Sequence, residues 1–300
     1  MSTTSRESWR IVYFARGPLG DAYRRLDTTL ASMGHRLVGV VTSPGPKSRR
    51  STGYVDMVAQ TRPGVDVLVS NHPARWAAML APLRPDVIIV GGFSWKLPQD
   101  VLDLPRFGAI NLHNALLPRY RGRGDYIIPW AFRNDDGEIG WTLHRMTAEF
   151  DTGAILAQGS LPIGDDDDLA SLMPAYMDLA FDLLPIAFER LANNDPGDPQ
   201  NEADITYSTV FEEEWRHIDW NDPARAIHNK VRSWTSVGDS TRFPRTAAGV
   251  IEGVERQILK TRLVNHDTNN AAPPGTVLER GNDTLLIQCG DGPLQILRYE

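Results

Sequence analysis

Five short β-branched apolar runs recur through the first third of the chain: "RIVYFA" (10–15), "RLVGVV" (36–41), "VDVLVS" (65–70), "PDVIIVGG" (85–92) and "FGAINLH" (107–113). Helical patterns such as "DAYRRLDTTLASMG" and "ARWAAMLAPL" lie between them. Strands apolar at consecutive positions must be covered on both faces, so this alternation calls for a mostly parallel sheet flanked by helices. In such sheets ligands sit beyond the carboxyl ends of the strands, near the point where strand order reverses. The fifth run ends in Asn111 and His113, which are two apart and so share a face at a strand exit. Loop chemistry follows at once in "NALLPRYRGRGDY".

Two more strands are expected at "IGWTLHRM" (139–146) and "AILAQGSLPI" (154–163), joined by "TAEFDTG", and then one long amphipathic helix from Leu169 to Leu191. The "DDDD" ahead of it at 165–168 reads as acidic residues favoured at a helix start by the dipole, rather than as a metal site. The polar, Pro- and Gly-containing stretch 194–206 reads as an interdomain linker. Beyond it come a Trp-rich segment, the helix "DPARAIHNKVRSW" and short strands separated by turns, the pattern of a small β-barrel or sheet domain. The expected layout is a catalytic domain over 9–193, a linker over 194–206 and a β domain over 207–300.

Composition narrows the function classes. A net charge of -7 over 300 residues argues against a protein whose affinity rests mainly on nucleic-acid phosphates. The single cysteine, Cys289, excludes an internal disulfide framework or a cysteine-rich zinc site. "MSTTSRESWR" lacks the apolar core of a signal peptide, and no stretch reads as long enough to span a bilayer, so a soluble, cytoplasmic protein without metal is expected. The first βα turn, "ARGPLGD", lacks the G-x-G-x-x-G spacing of a dinucleotide site.

Asn111, His113 and Asp151 form the chemically suggestive set. Asn offers a neutral amide donor, His a donor or acid, and Asp a base or an orienting carboxylate. Together they suit a reaction in which a carbonyl oxygen turns negative while an amine loses a proton.

The residues carrying a resemblance are these: Asn111 and His113; Leu116-Leu117-Pro118-Arg119 with Arg121-Gly122; Gly140-Trp141-Thr142; and Asp151-Thr152-Gly153. In this order and spacing they resemble the formyltransferases that use 10-formyltetrahydrofolate. That family includes methionyl-tRNA formyltransferase, glycinamide ribonucleotide formyltransferase and the sugar-nucleotide N-formyltransferases. "IDWNDPARAIHNKVRSW" (218–234) is similar to the opening of the C-terminal domain in the methionyl-tRNA and sugar-nucleotide branches. The resemblance implies a Rossmann-like catalytic domain and a smaller, OB-like C-terminal domain. It implies that Asn111 and His113 stabilise the oxyanion, and that Asp151 keeps His113 protonated or takes the amine's proton. It also implies a pterin pocket drawn from Gly92, Phe93, Trp95, Ala115, Leu116, Leu117, Pro118 and Glu149.

The acceptor is less constrained. Where the methionyl-tRNA branch usually continues Ala-Ala-Pro-Ile-Gln after Arg-Gly, this chain reads "RGDYIIPWAF", and "SPGPKSRRSTG" (43–53) holds only one short basic cluster. The expectation is therefore a small amine, either an amino sugar nucleotide or an N-hydroxyornithine-type siderophore precursor, gripped by Arg121, Arg123 and Asp125. Methionyl-tRNA is the alternative acceptor. Hydrolysis of the formyl donor and a non-catalytic folate-binding module rank below it. A homodimer is compatible with the sequence.

Overall fold

The computed structural model describes residues 7–17, 21–46, 52–122, 124–237, 246–264 and 272–300. The middle of the "ARGPLGD" turn (18–20), the basic cluster at 47–50 and Arg123 lie outside them.

Every apolar run forms the strand its composition calls for: β1 (Arg10–Ala15), β2 (Arg36–Thr42), β3 (Asp66–Val69), β4 (Val87–Gly91) and β5 (Ala109–His113). The helices between them are α1 (Ala22–Ser32), α2 (Gly53–Gln60), α3 (Pro73–Leu80) and the short α4 (Gln99–Leu102). After α5 (Ile127–Arg133) come β6 (Glu138–Arg145) and β7 (Ile155–Pro162). These seven strands form one sheet in the order β3-β2-β1-β4-β5-β6-β7. The neighbours from β3 to β5 pair in parallel, and β5 pairs with β6 antiparallel. Strand order reverses between β1 and β4, so Asn111 and His113 stand on the second strand past the reversal. Val12, Phe14, Val41, Trp76, Leu80, Ile88 and Val90 are core residues of this α/β layer, all buried. The continuous apolar runs are continuous because both faces of these strands are covered.

The long helix expected from Leu169 to Leu191 is instead two, α6 (Leu169–Asp182) and α7 (Leu184–Ala192). Pro185 is the cause: it has no N–H to give the Phe181 carbonyl one turn back. Taken together, Leu169–Ala192 is long and apolar enough to cross a membrane by length and composition alone. Its apolar residues Tyr176, Ala180, Leu184, Ala187, Phe188 and Leu191 are buried within the protein.

The chain divides into two compact units whose borders differ from the expected ones. The first comprises 1–124, 140–160 and 175–206; the second comprises 125–139, 161–174 and 207–300. The stretch read as a linker is thus part of the first unit. Asp198 pairs backbone-to-backbone with Ile155, and Arg190 holds Asp195 and Asp198 at 2.7 Å each.

In the second unit, helix α8 (Ala224–Ser236) packs on an antiparallel sheet of five strands, the β-rich C-terminal architecture expected. The strands are β8 (Ala247–Ile251), β9 (Val254–Leu263), β10 (Val277–Arg280), β11 (Leu285–Gln288) and β12 (Pro293–Tyr299), in the order β8-β9-β12-β11-β10. Ile227, Val231 and Trp234 of α8 meet Ile258, Leu285, Ile287 and Ile296 in a buried core. Cys289 lies in that core, and burial pushes its thiol up to about 12, which keeps it an inert thiol.

The acidic run 165–168 does more than open a helix. Asp165 pairs with Arg225 (2.8 Å), Asp166 with Arg262 (3.1 Å) and Asp168 with Lys260 (3.2 Å), while Asp167 accepts from Ser171. Beside it, the buried His228 donates from Nε2 to the Asp165 carbonyl and accepts at Nδ1 from Thr261, both at 2.8 Å. Burial, then the neighbouring Arg232, lower its pKa from 6.5 to about 4. The unfolded chain therefore binds a proton at His228 before the folded chain does, and stability falls as pH drops through that window. Unfolding measured by urea titration should give a free energy that declines from pH 6.5 toward pH 4, and the decline should be shallower in His228→Gln.

Candidate active site

The site is built on the antiparallel pair β5 and β6. Asn111 stands opposite His144, and His113 opposite Thr142. Side chains directly opposite on an antiparallel pair share a face, so one short ladder places an amide, two imidazoles and a hydroxyl together. Sequence reading found the first strand's pair and missed the second strand's. The same signal was available in "TLH" (142–144), two polar side chains again two apart.

His113 is 5 % exposed, and its Nε2 donates to the Tyr120 carbonyl at 3.0 Å. Its Nδ1 faces the Asp151 carboxylate, 3.5 Å from Oδ1. With Nε2 already donating, a proton on Nδ1 makes the ring a cation that this carboxylate balances. His144 is neutral: burial, then the charge of His113, lower its pKa to about 4. Its Nδ1–H donates to the Arg145 carbonyl (2.9 Å), leaving the lone pair on Nε2. That lone pair must meet a donor, which fixes the Asn111 amide with Nδ2 toward His144 at 3.1 Å. The second N–H of Asn111 points at Asp151 Oδ1 over 3.4 Å, a long bond that a better acceptor can take over.

Asp151 is 8 % exposed and has left-handed backbone (φ +57°), a conformation that Asp tolerates better than most residues. The Gly122 N–H donates to its Oδ2 at 2.9 Å. The glycine two residues on is required by contact: a Cβ at Gly153 would lie 1.7 Å from the Arg145 carbonyl oxygen. The Gly-x-Thr segment is explained in the same way. A Cβ at Gly140 would fall 2.2 Å from the Gly159 oxygen. Thr142, fully buried, donates to the Ala115 carbonyl (2.6 Å) and accepts from the Leu117 N–H (3.1 Å) and Gln158 (2.8 Å). It pins the loop that follows His113. The Leu117–Pro118 peptide in that loop is cis.

The expected pocket residues are placed as follows. Ala115 and Leu117 are buried, while Leu116 and Pro118 are half-buried in the pinned loop. Gly92 is exposed with positive φ and open space where a Cβ would be, leaving its backbone approachable. Exposed Glu149 pairs with Lys96 at 3.0 Å, joining the 91–98 loop to the loop that carries Asp151. Phe93 and Trp95, expected to line the pocket, are half-buried and pack against the core. Phe93 meets Phe14 and Trp76 edge-on or tilted, and Trp95 lies edge-on to Trp76 with its Nε1 donating to Ser43.

Of the expected acceptor-gripping residues, Asp125 is exposed in the second unit and Arg123 lies outside the described residues. Arg121 requires correction. The residue is only 4 % exposed, and its guanidinium donates to the Gln200 amide oxygen, from Nη2 at 2.6 Å and from Nε at 3.2 Å, with the exposed Glu202 carboxylate 3.7 Å away.

Residues 30–188 match the formyl transferase family and 211–300 match the formyl transferase C-terminal domain. The chain is 33% identical over 276 residues to methionyl-tRNA formyltransferase of Caldanaerobacter subterraneus subsp. tengcongensis, covering 89% of this chain and 85% of the relative. It is 34% identical over 279 residues to methionyl-tRNA formyltransferase of Citrifermentans bemidjiense, covering 91% and 83%. In structure it is similar to the N-formyltransferase of Helicobacter canadensis solved with folinic acid and dTDP-3-aminofucose (TM-score 0.63, 16% identity, 98% and 100% covered). The chain therefore belongs to the formyl transferase family, with both domains of that family present, and is an enzyme of one-carbon group transfer.

Thr142→Val keeps the shape of the side chain and removes its hydroxyl, leaving the Leu117 N–H and the Ala115 carbonyl buried without this partner. The expected loss is about 1–3 kcal/mol of unfolding free energy, measurable by denaturant titration.

Proposed function

We propose that the protein transfers the formyl group of 10-formyltetrahydrofolate to a primary amine, and that the amine is that of methionyl-tRNA. The observation that carries the chemistry is the convergence of Asn111 and His113 on the Asp151 carboxylate, at 3.4 and 3.5 Å, in a chain of the formyl transferase family. Support for the acceptor comes from sequence relatives of that name, alike across nine-tenths of the chain and through both domains.

In this reading the amine nitrogen attacks the formyl carbon, a C–N bond forms, and the carbonyl electron pair moves onto oxygen. Asn111 Nδ2 and the Nδ1–H of the His113 imidazolium donate to that oxyanion, each giving up its long contact with Asp151 Oδ1. Asp151 balances the imidazolium and takes the amine's proton, directly or through water. When the intermediate collapses, the bond to N10 of the donor breaks, the proton passes to N10, and tetrahydrofolate leaves. Backbone groups of Gly92 and 115–118, with Glu149 at the rim, are the proposed pterin contacts.

A second reading, transfer to a small amine such as an amino sugar nucleotide or an N-hydroxyornithine, is favoured by one structural observation. Basic side chains of the second unit, Arg225, Lys260, Arg262, Arg280 and Arg133, are paired with carboxylates of that same unit. Cations so neutralised release few counterions on meeting a nucleic-acid backbone.

Incubation with 10-formyltetrahydrofolate and either charged initiator tRNA or a panel of small amines separates the two readings. Formyl-methionyl-tRNA as the main product supports the first. A formylated small amine with unmodified tRNA overturns it in favour of the second. In either case His113→Ala and Asn111→Ala should each lower kcat by about two to three orders of magnitude, read from single-turnover transfer.

A further inference from the structure

Gln200 lies in the stretch that sequence composition presents as a linker. Its side chain is fully used. The Nε2 group donates to the Asp151 carbonyl and to the Gly153 carbonyl, both at 2.8 Å. The Oε1 atom accepts from the buried Arg121 guanidinium. Arg121 is covalently followed by Gly122, whose N–H holds the Asp151 carboxylate at 2.9 Å. The bonds therefore close a ring: Asp151 carboxylate to Gly122 amide, along the chain to the Arg121 side chain, across to Gln200, and back to the Asp151 carbonyl.

The same segment grips the other wall. The Tyr120 N–H donates to Thr206 Oγ1 and the Arg121 N–H to the Thr206 carbonyl, both at 2.9 Å. Tyr120 supplies the carbonyl that receives the His113 proton. Residues 200–206 thus fix both the partner of His113 and the backbone of Asp151.

We propose that Gln200, braced by Arg121, is a positioning residue that holds the Asp151 carboxylate against His113. The proposal rests on the reading of Asp151 as the reacting carboxylate. Left-handed backbone at Asp151 is not self-supporting, and two charge-free donors on either side of the Asp-Thr-Gly turn hold it without competing for the carboxylate itself.

Two variants test this. Gln200→Met removes every bond. Gln200→Glu keeps an acceptor for Arg121, removes the two donors to the turn and sets a carboxylate against those two carbonyls. Both should lower kcat at least about tenfold while KM for the formyl donor stays within about twofold, since a displacement of about 1 Å costs as much as a hundredfold. Hydrogen–deuterium exchange should quicken at 120–122 and 151–155 in both variants and stay unchanged in β1 to β4. Wild-type exchange and kcat in Gln200→Glu would overturn the proposal. So would a kcat loss accompanied by faster exchange throughout the first unit, the mark of a structural role only. If the wild-type enzyme formylates no amine, the proposed function falls, and the exchange of the Gly122 amide in the two variants still decides whether Gln200 places the carboxylate.

Discussion

The antiparallel ladder between β5 and β6 is the constraint on which the site depends. The other pairs formed by β1 to β5 are parallel and serve to bury their strands. This pair sets Asn111 against His144 and His113 against Thr142, so four polar side chains share a face. A slip of one residue would send His144 and Thr142 to the opposite face. The Asn111 amide would lose the lone pair that orients it, and the loop after His113 would lose its pin.

Charge at the site is divided by environment. Both imidazoles are buried, yet they differ in what surrounds them. His144 spends its one proton on the Arg145 carbonyl and presents a lone pair, so it serves as a fixed acceptor. His113 gives one nitrogen to Tyr120 and turns the other to Asp151. The two roles follow from which neighbour each nitrogen meets, since the residue type is the same.

Much of this was legible beforehand, and the parts that were not share a cause. The five parallel strands were plain in the apolar runs, because burial on both faces leaves a continuous signature. Asn111, His113 and Asp151 could be found from their spacing and from the motifs around them. Arg121 was misjudged because an arginine in a polar loop has the same appearance in sequence whether it meets a ligand or an amide eighty residues on. Gln200 was hidden in a stretch whose Pro, Gly and Asp content reads as tether. Its bonds run to backbone carbonyls, and a carbonyl leaves no mark in a sequence. Phe93 and Trp95 pack against the core, a contact the sequence does not mark, since an aromatic beside a sheet serves a core as readily as a pocket. The run of four aspartates shows the converse: a local explanation sufficed, while the structure adds cationic partners sixty to ninety-six residues distant.

The second unit gathers 125–139 and 161–174 from the middle of the chain in addition to the last ninety-four residues. A tail exchanged at residue 207 would therefore carry only part of that unit. A C-terminal hundred residues grafted from a relative would arrive without α5, whose residues face α8, and without the aspartates that answer Arg225, Lys260 and Arg262. The second unit is thus one core written in three separate stretches of the chain.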